Sequence, residues 1–200
     1  MKVKVCGLTD GNNIREIENA GADWFGFIFH PASPRFVAER PSYLPLKGIR
    51  VGVFVNPKIE SVVQRADDFG LHIVQLYDSS PAFCRRIKNM GLKVVRALPA
   101  NRDLDEAAAP FLEVADYLLF DTPSLQYGGT GKTYPWTWLN SYTGALPFIL
   151  SGGITPDAAE TIRSIQHTAL AAVDINSRFE TSPGIKNAAE VARFINTLKQ

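Results

Sequence analysis

Two side chains that could exchange protons with a substrate stand at the ends of short apolar segments. Cys6 ends residues 3–6, and Asp121 ends residues 117–121. A thiolate is a competent base, and apolar surroundings raise the pKa of a carboxyl group, which suits a general acid at neutral pH. Alternatively, Cys6 is a buried structural cysteine and Asp121 caps a turn or a helix. The elements that carry the two residues have to decide between these interpretations.

The first segment has one apolar and one polar face. Val3 and Val5 point to one side, whereas Lys2, Lys4 and Cys6 point to the other. Such a strand suits a closed parallel barrel, in which one face packs on helices and the other faces a small lumen. Cys6 would then lie at the carboxyl end of its strand, where such barrels carry out chemistry.

Short apolar segments recur along the whole chain and alternate with helix-like segments. They begin about 20 to 30 residues apart, the length of one βα unit. The eight segments cover residues 3–6, 24–29, 50–55, 73–76, 93–97, 117–121, 147–151 and 170–174. This alternation predicts an α/β fold, a single (β/α)8 TIM barrel of parallel strands that forms one catalytic domain over residues 1–200. An open doubly wound sheet is the alternative, although it would normally use fewer strands.

Capping residues mark where the intervening helices begin and end. Asn56-Pro57, Ser80-Pro81 and Thr155-Pro156 each place a capping side chain before a proline at the expected first helical position. Gly70 and Gly91 stand where helices should end before the next strand.

The overall composition narrows the class of protein. The formal net charge is +1, so no electrostatic argument favours nucleic acid or an anionic membrane as a partner. No apolar run approaches the roughly 20 residues of a membrane span, and no signal-peptide pattern opens the chain. The two cysteines fit a reducing cytoplasm, and the chain has neither a CxxC motif nor a His/Cys cluster, so we expect no metal.

The residues after the last two predicted strands suit a phosphate group. Ser151-Gly152-Gly153 follows the seventh strand, and Asn176-Ser177 follows the eighth. TIM barrels often bind phosphate at these two loops through backbone N–H groups, and glycine lets the backbone approach closely. The glycine pair could also form an ordinary turn.

Two further loops could contact a substrate. Arg35 follows the second strand, where it could clamp a substrate carboxylate or could simply be a solvated surface arginine. The stretch Gly128-Gly129-Thr130-Gly131-Lys132-Thr133 suggests a phosphate-binding P-loop, but Gln126 stands where that motif needs its first glycine. Gly128, Gly129, Thr130, Gly131 and Lys132 are better interpreted as a glycine-rich loop that closes over the barrel mouth, or as a surface turn.

Taken in order, these motifs resemble the phosphoribosylanthranilate isomerase family along nearly the whole chain. The resemblance rests on Lys4-Val5-Cys6-Gly7-Leu8-Thr9, Gly26-Phe27-Ile28-Phe29, Ser33-Pro34-Arg35, Gly52-Val53-Phe54-Val55-Asn56, Val74-Gln75-Leu76, Leu119-Phe120-Asp121, the glycine-rich stretch, Leu150-Ser151-Gly152-Gly153-Ile154 and Pro183-Gly184. The family is a cofactor-free (β/α)8 barrel of tryptophan biosynthesis. It isomerises N-(5-phosphoribosyl)anthranilate to 1-(2-carboxyphenylamino)-1-deoxyribulose 5-phosphate by an Amadori rearrangement.

The resemblance implies a role for each matching residue. Cys6 matches the general base of the family and Asp121 its general acid. Arg35 matches the arginine that contacts the anthranilate carboxylate. Gly152, Gly153 and Ser177 fall where the family holds the phosphate. The implied partner is this small phosphorylated substrate, and both a monomer and a homodimer are compatible with the pattern.

Two positions depart from the family, and two other functions stay open. Tyr77-Asp78 stands where the family usually has His-Gly, and Arg178 stands where it commonly has glycine. The related Amadori isomerase of histidine biosynthesis uses an aspartate at the end of its first strand, so Cys6 argues against it. A silent barrel that only binds phosphorylated sugars would have no reason to keep both Cys6 and Asp121.

Overall fold

Eight parallel strands close into a barrel in chain order. In this computed structural model, which describes residues 1–100, 103–121 and 136–200, β1 pairs with both β2 and β8. The strands are β1 (Lys2–Val5), β2 (Trp24–Ile28), β3 (Ile49–Val55), β4 (Ile73–Tyr77), β5 (Lys93–Pro99), β6 (Tyr117–Asp121), β7 (Phe148–Ser151) and β8 (Leu170–Ile175). The predicted barrel is confirmed, and the strand bounds differ from the prediction by at most two residues.

Helices and one hairpin surround the barrel. The helices are α1 (Gly11–Asn19), α2 (Ile59–Phe69), α3 (Pro81–Asn89), α4 (Leu104–Ala108), α5 (Ala159–Arg163) and α6 (Ala188–Lys199). Short 3-10 helices cover Ala109–Phe111, Trp136–Ser141, Pro156–Ala158 and Ser177–Phe179. After β8, the antiparallel hairpin of β9 (Glu180–Ser182) and β10 (Ile185–Lys186) precedes α6.

The predicted cap is confirmed at Ser80 and wrong at Asn56, and at Thr155 its position is confirmed but not its capping hydrogen bond. Ser80 Oγ accepts a hydrogen bond from the N–H of Phe83 at the start of α3. Asn56 instead turns the chain after β3 with a φ of 41°, and α2 begins only at Ile59. Thr155 precedes a 3-10 helix and makes no side-chain cap. Gly70 ends α2 in the left-handed conformation, as predicted.

The buried apolar side chains form two groups on opposite faces of the barrel wall. Val3 and Val5 belong to the larger group, which lies between the strands and the helices. The luminal cluster consists of Trp24, Val51, Ile73, Val95, Ala97, Leu119, Ile149 and Ala172. Toward the carboxyl ends of the strands, the inward-facing positions carry polar side chains instead of apolar ones. The apolar part of the lumen is therefore packed, and its carboxyl end is lined by polar groups.

Candidate active site at the carboxyl end of the barrel

Cys6 lies immediately after β1 and is held against both neighbouring strands. Its backbone N–H donates to the carbonyl of Ile175 on β8 over 2.9 Å, and only 4% of the residue is exposed. On the other side, the thiol lies against Gly26 of β2. A Cβ atom at Gly26 would come within 2.7 Å of Sγ, so the glycine provides the space that the thiol occupies.

Lys4 is a fully buried cation beside this thiol, two residues earlier on the same face of β1. Its Nζ donates to Asp174 Oδ1 of β8 over 2.9 Å. Burial by itself would lower the pKa of Lys4, but the charges of Asp174 and Cys6 hold it above its usual value. Lys4 therefore stays protonated at neutral pH.

Burial raises the pKa of the Cys6 thiol, and the nearby cations oppose this effect. The ammonium group of Lys4 favours the thiolate by charge and by hydrogen bonding, and the charge of Lys186 also favours it. The carboxylate of Asp174 acts in the opposite direction. Because the net pKa of the thiol is raised, Cys6 is mainly protonated at neutral pH in the unliganded protein.

Tyr77 connects the predicted acid to the predicted base. It ends β4, and its hydroxyl donates to Oδ2 of Asp121, the last residue of β6, over 3.0 Å. Burial raises the pKa of Tyr77 well above 10, and the negative charges of Asp121, Asp174 and Cys6 raise it further. Tyr77 thus bonds Asp121 directly and is influenced by the charges of Asp174 and Cys6, and Cys6 and Asp121 lie at the same end of the parallel barrel.

Arg35 is buried and paired, and the alternative of a solvated surface arginine does not describe it. Only 9% of the residue is exposed. Its Nε donates to Glu180 Oε1 over 2.8 Å, and its Nη2 donates to Oε2 over 2.6 Å. Lys186 Nζ also donates to Glu180, and it donates to Asn176 Oδ1 over 2.6 Å. A buried carboxylate thus holds two cations at the rim of the barrel.

The hairpin that carries Glu180 and Lys186 is tied to the segment after β1. Thr9 Oγ1 donates to the carbonyl of Gly184, and the Asn13 side chain bonds both the N–H and the carbonyl of Lys186 over 2.8 Å. Sequence reasoning missed Glu180 and Lys186 as site residues. The signal that could have identified them is their position on either side of Pro183-Gly184, a motif that carried the family resemblance.

The predicted phosphate residues lie on the adjacent ends of β7 and β8. Gly152 and Gly153 follow β7 with backbone φ values of 94° and 65°, which residues other than glycine rarely adopt. Asn176 directly precedes the 3-10 helix Ser177–Phe179, and Ser177 is the first residue of that helix. Arg178 is exposed on this short helix.

The remaining predicted site residues, Gly128 to Lys132, lie outside the described residues. Within residues 1–100, 103–121 and 136–200, no group of three or more His, Cys, Asp and Glu side chains could hold a metal ion. Over the same residues, no helix has the length and apolar character to cross a membrane. The groups that the site offers are thus a thiol, a carboxyl, a phenol and several buried cations.

Comparisons with known proteins identify the family of this chain. The family model described as N-(5'phosphoribosyl)anthranilate (PRA) isomerase matches residues 3–197. The chain is 46% identical to the N-(5'-phosphoribosyl)anthranilate isomerase of Phocaeicola vulgatus, over 100% of this chain and 98% of that protein.

Solved structures match over the same extent. A structure of monomers derived from the dimeric phosphoribosylanthranilate isomerase of Thermotoga maritima superimposes with a TM-score of 0.83 and 29% identity, covering 100% of this chain and 98% of that one. A phosphoribosylanthranilate isomerase in complex with reduced 1-(o-carboxyphenylamino)-1-deoxyribulose 5-phosphate superimposes with a TM-score of 0.78 and 27% sequence identity, and the coverage of the two chains is the same. By sequence and by fold, this chain belongs to the N-(5'-phosphoribosyl)anthranilate isomerase family.

Proposed function

We propose that this chain converts N-(5-phosphoribosyl)anthranilate to 1-(2-carboxyphenylamino)-1-deoxyribulose 5-phosphate in tryptophan biosynthesis, with Cys6 as general base and Asp121 as general acid. The observation that carries this assignment is the position of Tyr77, which donates to Asp121 and also lies within the electrostatic influence of Cys6. An acid and a base at one end of a closed lumen are what an Amadori rearrangement requires.

The reaction begins with ring opening. Asp121 gives a proton to the ring oxygen of the ribose as the bond between that oxygen and the anomeric carbon breaks. The lone pair of the anthranilate nitrogen forms the new double bond, which leaves an iminium ion. The carboxylate of Asp121 that results still accepts the hydrogen bond from Tyr77.

The second half of the reaction moves a proton from carbon. The thiolate of Cys6 takes the proton from C2 of the sugar, the iminium accepts the electron pair, and the enolamine that forms tautomerises to the ketone. All hydrogen transfers are proton transfers between the substrate and these two residues, and the net change is an isomerisation of one substrate, so the rearrangement needs no redox cofactor. Acid and base catalysis typically contribute about 10²- to 10⁴-fold each to the rate.

Groups at the two sides of the rim would hold the two charged ends of the substrate. We assign the anthranilate carboxylate to Arg35, whose guanidinium is oriented by Glu180. We assign the phosphate to the backbone of Gly152 and Gly153 and to Asn176 and Ser177. Two anchored ends fix the sugar between acid and base, and such positioning can supply several kcal/mol of the catalytic effect.

Burial of Cys6 explains why Lys4 accompanies it. A thiol with a raised pKa is a poor base at neutral pH, because only a small fraction is present as thiolate. Lys4 offsets part of this effect, and it is itself held in the charged form by Asp174. We infer that the residue pair Lys4 and Asp174 keeps the thiolate accessible.

The same assignment leads to proposals for the domain organisation, cellular location and assembly of the protein. We propose that residues 1–200 act as one catalytic domain in the cytoplasm, as a monomer or homodimer, on a small phosphorylated substrate and without nucleic acid as a partner. The oligomeric state can be measured directly by sedimentation of the purified protein.

The test of the proposed activity uses freshly prepared phosphoribosylanthranilate, whose fluorescence is lost on conversion. We expect fluorescence loss with the native protein, and loss of kcat by at least about 100-fold in Cys6→Ser and in Asp121→Asn. The variant Cys84→Ser changes the other cysteine, which is buried outside the lumen, and should keep its kcat. Unchanged fluorescence with folded native protein would reject the activity, and near-native kcat in either site variant would reject the role of that residue.

A further inference from the structure

Tyr77 reaches across the barrel mouth from one strand to another that is not its neighbour. It lies at the end of β4 and donates to Asp121 at the end of β6, and β5 lies between them. On β5, Ala97 belongs to the luminal cluster that Tyr77 packs against, and Pro99 is the register partner of Asp121. The phenol therefore spans the end of β5 to reach Asp121.

The backbone that carries Tyr77 is fixed from two sides. Its carbonyl accepts hydrogen bonds from the N–H of Asn56 over 3.2 Å and from Ser79 Oγ over 3.1 Å. The next residue, Asp78, turns the chain away with a φ of 46°. The phenol is therefore a rigid support for the group it contacts.

The hydrogen bonds at the phenol have a defined direction. Gln75 Nε2 donates to the Tyr77 hydroxyl oxygen over 3.4 Å, and the hydroxyl donates to Asp121 Oδ2. Burial and the surrounding negative groups, which are Asp121, Asp174 and Cys6, raise the pKa of Tyr77 well above 10. Tyr77 consequently keeps its proton and acts as a donor at every pH at which the protein would work.

We propose that Tyr77 is a positioning residue that orients the carboxyl group of Asp121 through its hydrogen bond to Oδ2. This inference rests on the proposed role of Asp121 as the general acid. An oxygen that accepts a hydrogen bond from a permanent donor is a poor site for a second proton, so the phenol disfavours protonation of Oδ2 and fixes the orientation of the carboxyl group. Once that proton has moved to the ring oxygen of the substrate, the phenol stabilises the carboxylate left behind.

The variant Tyr77→Phe tests this role because it removes only the hydroxyl. Hydrogen bonds to charged groups contribute more than neutral ones, and we expect kcat to fall about tenfold while KM changes less than about threefold. Loss of the donor should also raise the pKa of Asp121, since a hydrogen bond to a carboxylate favours the ionised form. Carbon-13 NMR of the aspartate carboxyl groups would measure this shift, with the Asp121 resonance assigned by its absence in Asp121→Asn.

Tyr117→Phe is the matched control. Tyr117 begins the same strand that Asp121 ends, and its ring packs edge-on against Trp24 at the opposite end of the lumen. This variant should leave both kcat and the pKa of Asp121 unchanged. Gln75→Met removes the donor that orients the phenol. It should lower kcat and raise the pKa of Asp121, as Tyr77→Phe does, but by smaller amounts.

The possible results separate this inference from the proposed function. A raised pKa of Asp121 together with a reduced kcat in Tyr77→Phe supports the positioning role. If Asp121→Asn is inactive but Tyr77→Phe matches native protein in kcat and in the Asp121 titration, only the positioning role is overturned. If Asp121→Asn keeps its activity, the acid role itself fails. Equal loss of kcat in Tyr77→Phe and Tyr117→Phe, without any shift in the Asp121 titration, would show a packing effect and overturn the inference.

Discussion

Lys4 and Asp174 form an ion pair of 2.9 Å inside the barrel, and Lys4 also interacts with the thiol of Cys6. The side chain of Lys4 is 0% exposed and that of Asp174 is 6% exposed, so water screens the pair very little. A buried pair of this kind often contributes little net stability, because both charges lose their hydration. Its position beside Cys6 points to a chemical role, which can be tested.

Replacing Lys4 should raise the pKa of Cys6 further. The groups that act electrostatically on the thiol include Lys4 on β1, Asp174 on β8 and Lys186 on β10, and Lys4 is the strongest of them in favouring the thiolate. We expect the rise in thiolate absorbance and in iodoacetamide reactivity to move to higher pH in Lys4→Met.

The controls for this prediction separate charge from packing. Lys4→Met leaves Asp174 without its partner, so the double variant Lys4→Met/Asp174→Asn should be measured beside it. Cys6→Ser shows which part of the thiol signal comes from Cys6. If both lysine variants titrate like the native protein, Lys4 does not act on the thiol.

Arg35→Ala should raise KM much more than it lowers kcat. A bidentate guanidinium–carboxylate contact is worth about 1.5–3 kcal/mol, which corresponds to roughly a 10- to 100-fold increase in KM. Arg15→Ala, at an exposed position on α1, is the matched control and should keep its KM. Steady-state kinetics over a range of substrate concentrations separate the two constants. An unchanged KM in Arg35→Ala would show that Arg35 does not bind the substrate.

Glu180 should make the folded protein sensitive to acid. Although burial opposes ionisation, hydrogen bonds from Arg35 and the charge of Lys186 lower the pKa of Glu180 below 4.5. A carboxyl group with a lowered pKa in the folded state stabilises the protein above its unfolded pKa, and this stability is lost as pH falls through the folded pKa.

Denaturant unfolding at a series of pH values checks this expectation. Between about pH 4.5 and more acidic conditions, the native protein should lose free energy of unfolding more steeply than Glu180→Gln does. Glu190→Gln, on α6 in a half-buried position, provides a comparison without the buried cations. Identical pH dependence in native protein and Glu180→Gln would contradict the assignment of this ion pair.

Gly26→Ala should reduce kcat by displacing the thiol. The added Cβ would lie 2.7 Å from Cys6 Sγ and 2.9 Å from its Cα, so the end of β1 must shift. Gly52→Ala on the next strand crowds Leu71 and Phe54 outside the lumen instead. Both variants should lose about 1–3 kcal/mol of stability through overpacking. Only Gly26→Ala should also lose kcat, and a native kcat in that variant at a temperature where it is folded would contradict the expected displacement.

The fold could be predicted because the periodicities of the chain are local. In β1, the alternation of Val3 and Val5 with Lys2, Lys4 and Cys6 identified the helix-facing and luminal sides before any contact was known. The caps were less predictable. Asn56 is a residue type that often caps helices, but here it adopts the left-handed conformation in the turn after β3. The helix α2 begins three residues later, at Ile59.

The candidate acid and base were also visible in the sequence, since each ends a strand and strand ends meet at one rim. The assigned roles of Cys6, Asp121, Arg35, Gly152 and Gly153 stay proposals, but their placement after their strands follows from the barrel itself. The partners of these residues could not be predicted. Glu180 lies 145 residues after Arg35 in the chain, and nothing in local sequence relates the two.

The sequence by itself determined the eightfold strand order, the two faces of β1 and the side chains available for chemistry, because these depend on residue spacing. Only the tertiary structure decided that Lys4 is held by Asp174, that Arg35 is held by Glu180 and that Tyr77 bridges to Asp121. The physical reason is closure of the barrel. Closure brings distant strands to one rim and removes water from it, so that burial and neighbouring charges set the protonation of Cys6 and Tyr77.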